Sequence, residues 1–114
     1  MPYIEAKLSV KLDENQKNDL QKKLTDSVSS AFSKPTAYIM TNIEDEKSLY
    51  MGGNKVEKGA YIVVRALGSV SKPSCQTATK EICNMLTSDY GLTGSNIYIT
   101  YHPVDFWGWN GSMF

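Results

Sequence analysis

The residue whose chemistry stands apart is the second. The chain opens Met1-Pro2, and a Met before a small residue is ordinarily removed, which would leave Pro2 with a free secondary amine in place of a peptide nitrogen. An α-amino group has a reference pKa of about 7.7–8.0, and burial among apolar side chains lowers it by disfavouring the cation. Such an amine is a base poised near neutral pH, able to carry a proton between two atoms of a substrate. Met-Pro alone is a common start, so its meaning depends on what holds it. Other chemistry is poorly supplied. Cys75 and Cys83 lie eight residues apart in a stretch that reads as helix, ~12 Å along the axis at ~1.5 Å per residue, beyond the ~7 Å reach of a disulfide. With His102 the sole histidine and no Cys-x-x-Cys or paired histidines, soft ligands for zinc are too few, and neither a metal nor another cofactor is expected. Gly52-Gly53-Asn54 reads as a turn, since no strand leads through it into a helix as a phosphate cradle requires. Asn110-Gly111-Ser112 reads as a turn as well, and His102 as a surface residue.

The elements that must hold the amine follow from periodicity. Residues 3–10 alternate, with Ile4, Ala6, Leu8 and Val10 on one face and Tyr3, Glu5, Lys7 and Ser9 on the other, the mark of a half-buried strand starting at the N-terminus. Asp13 is placed to cap a helix in which Leu20, Leu24, Val28, Ala31 and Phe32 recur at helical spacing as far as Lys34, where Pro35 ends the run. A second strand is predicted over 37–44, with Tyr38, Ile39, Met40 and Ile43 ahead of the acidic run Glu44-Asp45-Glu46. The order then repeats: an apolar strand over 60–67, a helix over 74–90 closed by Gly91, and a strand over 96–101. The offset is 58 residues, so Leu20, Leu24, Val28 and Phe32 map onto Ala78, Ile82, Leu86 and Tyr90, and Ile4 onto Ile62. Core positions repeat where surface ones do not, as an old duplication would leave them.

Two βαβ units with right-handed crossovers give an α+β fold: a four-stranded mixed sheet with both helices on one face. A chain of 114 residues with 41% hydrophobic content fits a single domain, residues 1–114, with one modest core. The sheet's other face, carrying Tyr61 and Val63, is expected to be bare and apolar and to require further protein against it. Phe106, Trp107, Trp109 and Phe114 crowd the last nine residues and are expected to pack on a neighbour for the same reason. Twelve Lys and Arg balance twelve Asp and Glu, which argues against nucleic acid as a partner. No apolar run reaches the ~18 residues of a membrane span and no signal peptide is legible; a cytoplasmic protein is expected, with secretion open only by a route without a cleaved signal.

Taken in order, the motifs resemble the macrophage migration inhibitory factor family of the tautomerase superfamily over essentially the full length. They are Met1-Pro2 with its alternating strand, Ser33-Lys34-Pro35 with Tyr38-Ile39-Met40, and Met51-Gly52-Gly53 where the family often has Phe-Gly-Gly. Ala66-Leu67-Gly68 follows, like the family's Ser-Ile-Gly, then Asn96-Ile97-Tyr98-Ile99, and the ending Trp107 to Phe114 is close to Gly-Trp-Asn-x-Ser-Thr-Phe. The resemblance implies a homotrimer whose sheets form a barrel, with active sites between subunits. It implies a keto–enol tautomerase acting on a small aromatic α-keto acid such as phenylpyruvate, with Pro2 as general base and acid. Lys34 would bind the carboxylate or keto oxygen and stabilise enolate charge, Leu67 would add its backbone N–H, and Tyr38, Tyr98, Trp109 and Phe114 would form aromatic walls with Tyr3 beside the base. Two departures stand out. Gly59-Ala60-Tyr61-Ile62 replaces the Cys-x-x-Cys of many animal members, so thiol oxidoreductase chemistry is not expected. Thr100 replaces an Asn that reaches the far end of the substrate, and bulky Trp107 stands at the rim. Two other readings stay open: a cytokine-like protein binding a receptor on immune cells, with catalysis vestigial, and a plain α+β binding module.

Overall fold

The computed structural model describes residues 1–114. The N-terminal strand, β1 (Pro2–Leu8), buries Pro2, Ile4, Ala6 and Leu8 on one face. It ends at Leu8 and not at Ser9–Val10, because the Ser9 hydroxyl turns aside to bond the backbone of Gly59. Asp13 then caps α1 (Glu14–Phe32) in a reciprocal capping box with Gln16, one side chain on each other's backbone N–H. The helix stops two residues short of Lys34, since Ser33 adopts the left-handed conformation at φ 53° and the Lys34 N–H folds back onto the Ser29 carbonyl at 3.1 Å. The strand expected over 37–44 is shorter: Thr36–Tyr38 form a 3-10 turn, and β2 runs Met40–Glu44. Pro35 and the turn hydrogen bonds from Tyr38 to Pro35 and Ile39 to Thr36 hold that segment out of the sheet.

A small hairpin follows, β3 (Tyr50–Met51) and β4 (Asn54–Lys55), around the Gly52-Gly53 turn, whose φ angles of 58° and 81° favour glycine. The second unit comprises β5 (Ala60–Leu67), α2 (Lys72–Tyr90) capped by Ser71 and by left-handed Gly91, and β6 (Ile97–Val104). A last hairpin, β7 (Gly108–Trp109) and β8 (Ser112–Met113), turns at Asn110-Gly111. The offset of 58 holds element by element: α1 maps onto α2 residue for residue, and the 3-10 turn at Thr36–Tyr38 onto another at Gly94–Asn96.

The sheet order is β2-β1-β5-β6, with β1 antiparallel to β5 at the centre and each outer strand parallel to its own partner. Leu20, Leu24 and Val28 of α1 and their counterparts Ala78, Ile82 and Leu86 of α2 meet Ile4, Ala6, Leu8, Ile62 and Val64 in one core. Fully burying a Leu or Ile contributes about 1.5–3 kcal/mol, so this layer is what holds β1, and with it Pro2, in place.

The other sheet face departs from expectation. Its cross-strand rows are Met40-Tyr3-Arg65-His102, Asn42-Glu5-Val63-Thr100 and Glu44-Lys7-Tyr61-Tyr98. The face is therefore largely polar and internally bonded: Tyr3 donates to Glu5 at 3.4 Å, Asn42 to Glu44 at 3.1 Å, and Thr100 pairs with Tyr61 at 3.0 Å and His102 at 2.9 Å. Val63 is only 4% exposed, covered by its row neighbours and not bare. The exposed large apolar side chains of this face are Met40 and Tyr98, at its two edges, and the others lie off it, at Tyr38, at Tyr50 of the first hairpin and along the tail at Phe106, Trp109, Met113 and Phe114. The tail aromatics also divide. Trp109 and Phe114 stack on one another within the chain yet remain more than half exposed, whereas Phe106 has no aromatic partner and is 84% exposed. No helix is long and apolar enough to cross a membrane.

Candidate functional site

Pro2 is fully buried as a side chain at the start of the central strand β1, and a cavity of about 500 Å³ opens beside it. Its walls come from three places: Met1, Pro2 and Tyr3 of the first strand, Ala37, Tyr38, Ile39 and Met40 between α1 and β2, and Trp107, Gly108 and Trp109 ahead of and within the last hairpin. No carboxylate lines it. Tyr38 meets Trp109 edge-on with ring centres 6.1 Å apart, and Phe114 stacks on Trp109 at 5.8 Å. Tyr38 does this from the 3-10 turn, so it is not the strand aromatic that its neighbours suggested.

The terminal amine here is that of Met1, while the Pro2 nitrogen is an amide without a basic lone pair. Burial, and secondarily the positive charge of Lys34, hold that amine below its usual range near 8.0. Lys34 takes part in none of the molecule's ion pairs. Its backbone is tied down by the Ser33 turn and by the Ser29 hydroxyl donating to its own carbonyl. The Leu67 N–H, at the end of β5, donates to the Met1 carbonyl at 3.2 Å. At the Met1 end of an apolar cavity the terminal amine thus feels the charge of Lys34 and the Met1 carbonyl takes the Leu67 N–H, although neither Lys34 nor Leu67 lines the cavity itself. That end suits an anion or a carbonyl oxygen, and the remainder suits a flat apolar group.

A family description, Macrophage migration inhibitory factor (MIF), matches residues 1–114. The chain belongs to the macrophage migration inhibitory factor family. Among its relatives, macrophage migration inhibitory factor of Xenopus laevis is 28% identical over 93 residues, 80% of each chain. The crystal structure of Leishmania major MIF2 superposes with a TM-score of 0.90 at 25% identity, covering 100% of this chain and 97% of that one. The macrophage migration inhibitory factor homologue from Prochlorococcus marinus gives a TM-score of 0.85 at 26% identity over 98% of both chains. The two-helix, four-stranded fold is the family's own.

Of the residues singled out on the resemblance to this family, Pro2, Tyr3, Tyr38 and Trp109 line one cavity; Phe114 does not line it but stacks on Trp109, and Lys34 and Leu67 reach it only through Met1, by charge and by a backbone hydrogen bond. Tyr98 and Thr100 are elsewhere. They line a second cavity of about 420 Å³, shared with the β3–β4 hairpin and with Ala60, Tyr61 and Asn96. Ala60, Tyr61, Asn96 and Tyr98 stand 58 residues after Pro2, Tyr3, Tyr38 and Met40, so the two cavities are counterparts within the repeat. β2 and β6 are the opposite outer strands of the sheet, which keeps the two cavities apart within one protomer. Ala37, Ile39 and Met40 were not singled out as site residues, and the signal that could have found them is Pro35, which takes the following segment out of the strand and turns it toward Pro2. The first departure from the family, at Gly59, has a steric side. A side chain at Gly59 would collide with Val56 and come within 2.5 Å of the Asn96 carbonyl oxygen, so the thiol that many animal members carry there has no room. Both cysteines are free, on α2, and no group of three or more His, Cys, Asp or Glu forms a metal site.

Proposed function

We propose that this protein is a keto–enol tautomerase of aromatic α-keto acids such as phenylpyruvate, with Pro2 as the acid and base after Met1 is removed. Loss of Met1 moves the terminal amine one residue inward, onto a residue already buried at the cavity wall. The same act removes the carbonyl that occupies the Leu67 N–H. One cleavage therefore exposes a base and a hydrogen-bond donor together, and this coupling is the observation that carries the reading.

In the keto-to-enol direction the unprotonated Pro2 nitrogen takes a proton from the carbon next to the keto group. The electron pair of that C–H bond forms the new carbon–carbon double bond, and the carbonyl pair moves onto oxygen. Lys34 and the Leu67 N–H stabilise that oxygen or the adjacent carboxylate, where charge develops. The proton on Pro2 then passes to the enolate oxygen, returning the amine to its starting state. Tyr38, Trp109 and Phe114 hold the aromatic ring, with Tyr3 beside the base.

The separation of Tyr98 and Thr100 from the Pro2 cavity supports a homotrimer in which each site is completed by a neighbour, since an adjoining subunit can bring its β6 to the first subunit's β2 side. The exposed Met40, Tyr98 and Phe106 side chains support the same assembly.

The experiment is phenylpyruvate enol–keto conversion by protein whose intact mass confirms loss of Met1, beside a Pro2→Gly variant. Pro2→Gly keeps a terminal amine but exchanges a ring-held secondary amine for a mobile primary one, so kcat/KM is expected to fall by up to about 10²–10⁴-fold, the contribution of a positioned general base. A Pro2→Gly protein as active as the parent would show that the proline's ring-held secondary amine is not needed for the proton transfer. A receptor-binding role with vestigial catalysis is the outcome left if the processed parent itself is inactive.

A further inference from the structure

Among the aromatic side chains around the Pro2 cavity, most are already engaged. Tyr38 lies edge-on to Trp109, Trp109 is stacked on Phe114, and the Tyr3 hydroxyl is turned to Glu5 on the open sheet face. Trp107 lines the same cavity yet belongs to none of the chain's aromatic pairs. It is partly buried, and its position is fixed through the backbone, because its carbonyl accepts the Phe114 N–H at 3.0 Å and closes the last hairpin. An indole is rigid, with two rotatable side-chain bonds, and an aromatic ring placed against it gains attraction beyond simple area burial. A ring held in place, facing a cavity and lacking a partner is a surface kept for a ligand's ring.

We propose that Trp107 is the residue that sets selectivity for aromatic over aliphatic α-keto acids, by supplying the unpaired ring face against which the substrate's own ring packs. This rests on the tautomerase reading above, in which the polar end of the cavity fixes the keto acid and leaves the apolar end to discriminate. An aliphatic side chain would meet the same indole with less contact and no ring-to-ring attraction, so the difference between the two substrate classes should be carried largely by this side chain.

The test uses the processed full chain and two acids of equal charge, phenylpyruvate and the α-keto acid analogue of leucine. Deuterium uptake from heavy water at the carbon next to the keto group reports turnover of both, followed by proton NMR. The ratio of kcat/KM for the aromatic acid over the aliphatic one should fall by about ten- to a hundredfold in Trp107→Ala, chiefly through KM for phenylpyruvate, and should recover in Trp107→Phe. A variant in which the ratio is unchanged, whether both rates fall together or neither does, overturns the proposal, because a merely structural role for Trp107 moves both substrates alike. If the parent exchanges neither acid, the tautomerase reading fails by itself. The ratio of the two dissociation constants, by calorimetry on parent and variants, then decides on Trp107 by the same criterion.

Discussion

At the scale of single residues, the behaviour of the terminal amine ties together Pro2, Lys34 and Leu67. Burial and the Lys34 charge both push the Met1 amine down; the Pro2 amine that would replace it sits on a more deeply buried residue of the same wall, where the same two causes should act, and a base works only when unprotonated. Activity should therefore rise with pH through an apparent pKa below the ordinary α-amino range of about 7.7–8.0. Lys34→Met removes one of the two causes, so the acid limb of the kcat/KM profile should move to higher pH, while KM for the anionic substrate rises; an unmoved limb would mean that the Lys34 charge does not reach the base. Inserting one Ala between Met1 and Pro2 restores an amide at Pro2 and displaces the terminal amine by a residue, so it should lower turnover further than Pro2→Gly, which keeps an amine in place, read from the same phenylpyruvate assay. Pro2 itself was legible in the sequence because a proline after the initiating Met is chemically distinct wherever it folds. The Leu67 contact with Met1 was not, since a backbone N–H carries no residue-type signal, and its availability depends on strand register.

At the scale of elements, the repeat carries most of the fold's information. The apolar positions of both helices were readable from period 3.6 alone because each helix buries one stripe, and Leu20, Leu24, Val28, Ala78, Ile82 and Leu86 all lie in the core. The boundaries were less readable where a local hydrogen bond competes with the regular element, as at Ser9, Ser33 and the Thr36–Tyr38 turn. Leu24 is fully buried, and Leu24→Ala should destabilise the protein by about 2–5 kcal/mol in chemical denaturation. Gly59→Ala, which would press a methyl group on Val56 and the Asn96 carbonyl, should destabilise by about 1–3 kcal/mol, whereas Gly94→Ala, where a methyl group would find its nearest neighbour 3.8 Å away, should do little. The acidic run also has a job: the Asp45 carboxylate accepts the Leu12 N–H at 2.9 Å and lies 3.5 Å from Lys17. That backbone bond and Lys17 lower its pKa, as Lys47 does for Glu44. Their contribution is present above the unfolded-state carboxylate range of about 3.9–4.3 and is lost as pH falls below it through the lowered values. Thermal midpoints of Asp45→Asn and the parent should therefore converge in acid and separate toward neutral pH.

At the scale of the whole molecule, a protomer presents two cavities related by its internal repeat, only one of which has the proline. The open sheet face is polar at its centre and carries exposed Met40 and Tyr98 at its edges, so if subunits assemble, these edges and the tail offer the apolar surface for it. Side-chain pattern alone misjudged it because Tyr61 and Val63 were weighed without their cross-strand neighbours Glu5, Lys7 and Thr100. If a neighbour completes each site, subunits defective in different halves should rescue one another. Pro2→Gly and Tyr98→Ala proteins, each impaired alone, should regain activity when unfolded together and refolded, with about a quarter of the sites intact on random mixing of a symmetric ring. Absence of rescue in a verified mixed oligomer would show that Pro2 and Tyr98 do not share a site across subunits.

The measurement that bears most directly on the chemistry is an NMR titration of the Pro2 nitrogen in protein labelled at proline, set beside the pH profile of kcat/KM for phenylpyruvate. The Pro2 amine should titrate below the ordinary α-amino range, at the same pH as the acid limb of the profile. An amine that titrates in the ordinary range, or a kinetic limb that falls at a different pH, would show that another group carries the proton.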